Sequence, residues 1–275
     1  DHHPDGRVKA LYGAAPTDVT CRPDNPGEPA GGGQSAGCRA LLLHYNTDNL
    51  LTKIDLRIWD PVPDTDGTPS NAAGMKTITV AEYTYVDGRL ASMSDPRLGA
   101  ALKTEYEYDT IGAKPVVTKI TEPGLTPWRF TYGTSGDDEG KLTTVKRAQT
   151  SGSDDATWTV DYTTPLSGTD LPDVTAGGVA KWGQTNPPVA AATVYGPDAP
   201  TSPAPSDGTI SYWDTEGRTT NTATYGAGDW QLDTATYDAK GNVVWALDEG
   251  NRGQALSSST VASESAEVAN TLATI

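Results

Sequence analysis

Five times this chain runs an alternating, tyrosine-bearing segment into an aspartate and then, within a few residues, a glycine. The copies are Tyr85 with Asp87 and Gly88, Tyr108 with Asp109 and Gly112, Tyr132 with Asp138 and Gly140, Tyr212 with Asp214 and Gly217, and Tyr237 with Asp238 and Gly241. Each spells a hairpin. Alternate side chains share one face of an incoming strand, aspartate opens a turn by accepting from its own backbone two residues on, and glycine supplies the positive φ that a short loop needs. An outgoing alternation follows, as in "RLASMS" (Arg89–Ser94) and "VVWAL" (Val243–Leu247), and "DPR" (Asp95–Arg97) or "EPG" (Glu122–Gly124) then ends the strand, because proline cannot donate to a ladder. Adjoining copies lie roughly 22–28 residues apart, a spacing that marks repeat architectures. A hairpin leaves an edge exposed until the next one pairs with it, so the series predicts an all-β fold: hairpins adding into one long, curved antiparallel sheet.

Composition agrees. Gly 29 and Pro 20 supply turns, and Tyr 12 and Trp 7 against Phe 1 suit half-exposed sheet faces better than dry interiors. A net charge of −16, with no Lys/Arg cluster, excludes nucleic acid as a partner. No apolar run reaches the length of a membrane span, and the opening "DHHPDG" reads as an excised start.

The predicted organisation has five parts: an N-terminal β segment over residues 1–79, repeat hairpins over 80–150, a non-repeat insertion with a Pro-rich loop over 151–207, repeat hairpins over 208–256, and a helix over 257–275 whose pattern stops midway. In the first part, Cys21 and Cys38 flank "RPDNPGEPAGGGQSAG", a run of turn formers with little structure of its own. A disulfide closing it would restrict the unfolded chain by about 3 kcal/mol and would place the protein in an oxidising compartment, secreted or at the cell surface. The alternative is two free thiols.

Tyr-x-Tyr with Asp-Gly-Arg-Leu and a following Asp-Pro stop resembles the rearrangement-hotspot (RHS) or YD-repeat family, most clearly over residues 80–150 and 208–252. Outside the motif, "GCRALLLHY", "TPWRFTYG", "VAKWGQTNPP" and "EGNRGQAL" look like the shell region of secreted polymorphic toxins of actinobacteria. The resemblance implies that the sheet is part of a cocoon-like shell around a variable toxin used in interbacterial competition. It implies as partners the rest of the same shell and an enclosed toxin domain. The self-cleaving end of such a shell and the toxin itself have no counterpart here, so no catalytic residue carries over.

Chemistry is sparse elsewhere. Asp137, Asp138 and Glu139 could form a glycosidase-like cluster but fit a solvated turn better. "DTDG" (Asp64–Gly67) matches half of a calcium loop and lacks the later glutamate. His2 and His3 read as a disordered terminus, and His44 as a packed strand residue. No Gly-x-Ser-x-Gly and no phosphate loop occur. Tyr and Trp on an open sheet could stack on sugars, although cross-strand aromatic ladders explain them better. The expectation is a structural shell segment, not an enzyme, with no cofactor and no metal. The alternative is a carbohydrate- or cell-surface-binding module, with a glycan as partner.

Overall fold

The computed structural model describes residues 1–14, 17, 21, 37–60, 74–99, 102–148 and 155–274. The calcium-like "DTDG" lies outside them, as does the run between the cysteines up to Ala36. The fold is all-β: fifteen strands form one sheet in chain order. They are β1 (Ala10–Tyr12), β2 (Arg39–Tyr45), β3 (Leu51–Asp60), β4 (Gly74–Val86), β5 (Arg89–Ser94), β6 (Lys103–Ile111), β7 (Lys114–Thr121), β8 (Trp128–Tyr132), β9 (Leu142–Ala148), β10 (Asp155–Asp161), β11 (Ala190–Tyr195), β12 (Gly208–Trp213), β13 (Thr219–Gly226), β14 (Asp229–Tyr237) and β15 (Val243–Leu247). Strands β5 and β7 stop where the Asp-Pro and Glu-Pro dipeptides begin, as the missing proline donor requires.

The chain divides into two compact units, Asp1–Asp109 with Val117–Trp128 and Thr110–Val116 with Arg129–Ile275. In the first unit, antiparallel pairing lines up Leu11, Leu41, Leu56 and Ile78 across four strands. The other face carries the row Ala10, Leu42, Asp55 and Thr79. Leu41, Leu56 and Ile78 are only half-buried and Leu11 is exposed. The buried apolar residues described in this unit are Ala10, Cys21, Cys38 and Ala40. Cys21 and Cys38 form a disulfide with Cα atoms 5.2 Å apart, tying the end of the β1 segment to the start of β2.

The second unit has a core. Thr193, Ile210, Ala223 and Leu232 form one row on the inner face of β11 to β14, and Ala191, Tyr212, Asn221, Thr234 and Leu247 form the next. Val174, Val179, Trp182, Ala255 and Ala269 pack against these rows from the connection after β10 and from two C-terminal helices. That connection holds a short helix, α1 (Ala176–Val179), and the C-terminal helices are α2 (Glu249–Ser258) and α3 (Ala262–Leu272). Only one helix, from Ser257 on, is legible in the sequence. "EGNRGQAL", assigned to the repeat hairpins, is helical instead: Asp248 caps it by accepting from the Asn251 amide, which offsets the cost of Gly250 and Gly253. The reciprocal amide pair of Gln184 and Asn221 (2.8 and 3.0 Å) extends to Thr234 and Trp182 and pairs these four buried polar side chains, whereas the buried Tyr212 hydroxyl has no partner among the described residues.

Candidate functional site

The repeat turns fall into distinct loop types. In Asp214–Arg218 the Asp214 Oδ1 accepts from the Glu216 and Arg218 amides (2.9 and 3.0 Å), and the Asp214 amide donates to the Arg218 carbonyl. Asp238–Asn242 repeats the pattern, with 2.8 and 2.9 Å to Lys240 and Asn242. Gly217 and Gly241 take the left-handed position, φ 75 and 84, as expected. Asn46–Leu50 is a third copy that the sequence hides, because Asn46 stands for the aspartate and Asn49, at φ 66, for the glycine. The segment His3–Arg7 is a fourth, with His3 amide to Arg7 carbonyl at 2.8 Å and Gly6 at φ 87. The opening histidines are therefore ordered: His2 bridges to Val8 and His3 lies edge-on to Tyr45. The signal was present as Asp5-Gly6-Arg7-Val8.

Three aspartates do not start turns in this way. Asp87 and Gly88 are the two central residues of a tight turn, φ 50 and 74, between paired Val86 and Arg89. Asp109 lies inside β6, and the turn forms later at Gly112. Asp138 ends a single 3-10 turn and pairs with Lys141, while Gly140 keeps its positive φ. The longer connection between β8 and β9 accounts for this, since a nine-residue excursion needs more than an aspartate turn to close.

The tyrosines share one arrangement. Tyr45 donates to the Val8 carbonyl (2.9 Å), Tyr85 to Leu51 (2.7 Å), Tyr108 to Leu90 (2.9 Å), Tyr162 to Leu142 (3.0 Å) and Tyr237 to Thr219 (2.6 Å). In every case the acceptor belongs to the residue with which the chain leaves a preceding turn. The residue just before the acceptor covers the tyrosine ring in four of the five: Arg7 on Tyr45 (4.8 Å), Arg89 on Tyr108 (6.0 Å), Lys141 on Tyr162 (4.8 Å) and Arg218 on Tyr237 (5.2 Å). In the fifth that place is taken by Leu50. The register is also constant. Counting outward from the pairs Ala10–Leu42, Lys53–Glu82, Ser92–Glu105, Thr144–Thr159 and Asn221–Thr234, each tyrosine stands one residue past the position opposite its acceptor. A local register shift accompanies Tyr45, Tyr85 and Tyr237. Such a bulge re-aims the side chain along the sheet, and the hydroxyl then reaches the neighbouring strand. In these five places a turn is thereby clasped to an earlier one by a hydrogen bond and, in four of them, a cation over a ring, whereas the buried hydroxyl of Tyr212 has no partner among the described residues.

Polar chemistry on the face of the first unit centres on Asp55, which no motif in the chain singles out. Its carboxylate is buried, yet His44 Nε2 and Lys53 Nζ both meet its Oδ2, at 2.8 and 2.9 Å, and Thr79 Oγ1 donates to its Oδ1 at 2.8 Å. Burial pushes the Asp55 carboxyl up, but the Lys53 ammonium and Thr79 hydroxyl outweigh it and hold the group below the ordinary aspartate value. His44 is thus a half-exposed partner of a carboxylate, not a packed strand residue. A histidine oriented by an aspartate can serve as a general base, but Thr79 spends its proton on Asp55, and among the described residues no hydroxyl or thiol meets the His44 ring. Lys53 occupies the place where a metal would share the carboxylate. No cluster of three or more His, Cys, Asp or Glu able to hold a metal occurs among the described residues, and no described helix is long and apolar enough to cross a membrane.

No family model matches the chain, and no curated protein matches it. Among solved structures it is similar to the crystal structure of TcdB2-TccC3 without its hypervariable C-terminal region, at 10% identity and a TM-score of 0.25. That alignment covers 90% of this chain and 15% of the other, so the chain spans a small part of the length of the protein it matches.

Proposed function

We propose that this chain is a segment of wall in a secreted shell of the RHS or YD-repeat type, built to enclose and deliver a toxin and carrying no catalysis of its own. The observation that carries the reading is the tyrosine clasp. Five equivalent hydroxyl-to-carbonyl contacts join successive turns, so the repeated element extends a sheet by one hairpin at a time and spends its most distinctive residue on that task. The Cys21–Cys38 disulfide favours an oxidising, extracellular setting. The ionised Asp55 cluster supports the same reading, since its groups satisfy one another and leave no acid, base and nucleophile converging on a substrate.

The test is to recover the natural gene product that contains this chain from culture medium without denaturation and to digest it with a broad-specificity protease. A wall segment should be found in a resistant particle, together with a protected polypeptide that becomes digestible once the particle is opened by denaturant. Tyr225 on β13 presents an exposed ring, and a chain that circulates alone, with no protected companion, and that gives a glycan-array signal lost in Tyr225→Ala would replace this reading with the glycan-binding one.

A further inference from the structure

The geometry points to the outer edge of β15 as a docking edge for one further strand of defined chemistry: a strand that carries a tyrosine near its end in one fixed register. Val8, Leu51, Leu90, Leu142 and Thr219, each the residue that leaves a turn, all receive a tyrosine hydroxyl on their carbonyl. Val243 leaves the Asp238–Asn242 turn in the same way and is paired to Tyr237 as Thr219 is paired to Trp213. No tyrosine hydroxyl reaches its carbonyl among the described residues. Val243 and Val244 are exposed, and Asn242 stands where Arg7, Arg89, Lys141 and Arg218 stand in the clasped turns.

A second observation fixes the register. After α3 the chain returns to this edge, where Thr274 and Ala246 exchange both backbone hydrogen bonds at 2.9 Å as an antiparallel bridge. Three positions back from Ala246 is Val243, so the third residue beyond Thr274 in such a strand faces Val243. The constant offset of the five clasps then puts the tyrosine one residue further, at the fourth position after Thr274. The ring would come over Asn242, which is uncharged, as is Leu50 before the acceptor Leu51. The occupant is thus specified by five internal examples, not by apolarity: an extended strand in this register, with Tyr at that position.

This inference rests on the wall reading only in taking the sheet as built by hairpin addition; it says nothing of cargo, so the two can fail separately. The test extends the full chain past Ile275 by a hairpin sequence in three versions: tyrosine at the fourth position after Thr274, phenylalanine there, and tyrosine one residue later. Backbone amide exchange over Val243–Leu247 is the readout. The correctly placed tyrosine should slow exchange about fivefold relative to the other two, the effect of one hydrogen bond. Tyr237→Phe in the unextended chain calibrates the assay, since it should speed exchange around Thr219 by a similar factor. Equal exchange in all three extended chains, with the Tyr237 calibration intact, would overturn the inference. So would an extension that exchanges as fast as free peptide.

Discussion

Asp214 and Asn46 perform the same backbone task with different chemistry, and the comparison separates the two contributions of an aspartate in these turns. Asn46 closes its loop through Oδ1 alone, whereas Asp214 also meets the Arg218 guanidinium through Oδ2 at 2.7–2.8 Å. Asp214→Asn should therefore keep the loop and lose the ion pair, while Asp214→Ala should lose both and cost about 1–2 kcal/mol of unfolding free energy in denaturant titrations. Burial pushes the Asp214 carboxyl up, but the Arg218 side chain and the Arg218 and Glu216 amides more than offset it, and the group stays below its usual value. With the folded value depressed, the stabilisation is complete above the unfolded aspartate pKa of about 3.9 and fades as pH falls through the lower folded value. The acid limb of a melting-temperature profile below about pH 4 should accordingly flatten in Asp214→Asn. Asp238, held down by Asn242, should contribute in the same direction. At this scale the sequence was half legible. Asp-x-x-Gly announces the turn, but nothing local tells Asp214 from Asp109, which stands at the same spacing from Gly112 and yet lies inside β6.

A hairpin here is held by what its neighbour does to it. The turn motifs and strand stops could be read from the chain because they depend on residues a few positions apart. The clasp could not, since Tyr237 and Thr219 meet only once the strands are in register, and the bulge that turns the ring toward the acceptor appears only in the paired sheet. Tyr237→Phe should cost about 1 kcal/mol and Arg218→Ala up to about 1 kcal/mol through the ring contact. Because the two groups act on one another, their double mutant should fall short of the sum by about 0.5 kcal/mol or more. Strict additivity in a double-mutant cycle would mean that the guanidinium merely lies over the ring. The disulfide acts at the same scale. It joins elements whose direct pairing is three residues long, Ala10–Tyr12 against Ala40–Leu42. Replacing both cysteines by serine should lower stability by about 3 kcal/mol and release protection of the β1 amides before that of β2 and β3, which share seven pairs. Equal loss along all three strands would show that β1 holds without its staple.

Across the whole molecule, the two compact units are stabilised by different means. The second buries Ile210, Tyr212, Leu232 and Leu247 almost completely beneath α2, α3 and Trp182. In the first, the row Leu11, Leu41, Leu56 and Ile78 keeps much of its surface in water, and the described contacts are ladder bonds, clasps and the Asp55 cluster. Alternation in the sequence is nearly the same in both, so the difference was not legible there. What decides it is the helical cover after Asp248, which the glycines of "EGNRGQAL" disguised. Burial of apolar area is the largest favourable term in folding, so truncation should read out the contrast. Leu232→Ala, in a site that cannot collapse around the loss, should cost about 3 kcal/mol. Leu56→Ala gives up only part of its transfer energy, about 1 kcal/mol, because the side chain is not fully buried to begin with. Thermal unfolding followed by amide exchange should show the first unit losing protection at the lower temperature. Leu232→Ala should bring the second transition down toward it, and Leu56→Ala should move only the first. A single transition that both substitutions shift together would mean that the sheet melts as one cooperative body, with its stability shared along the clasped turns and not held by the covered rows.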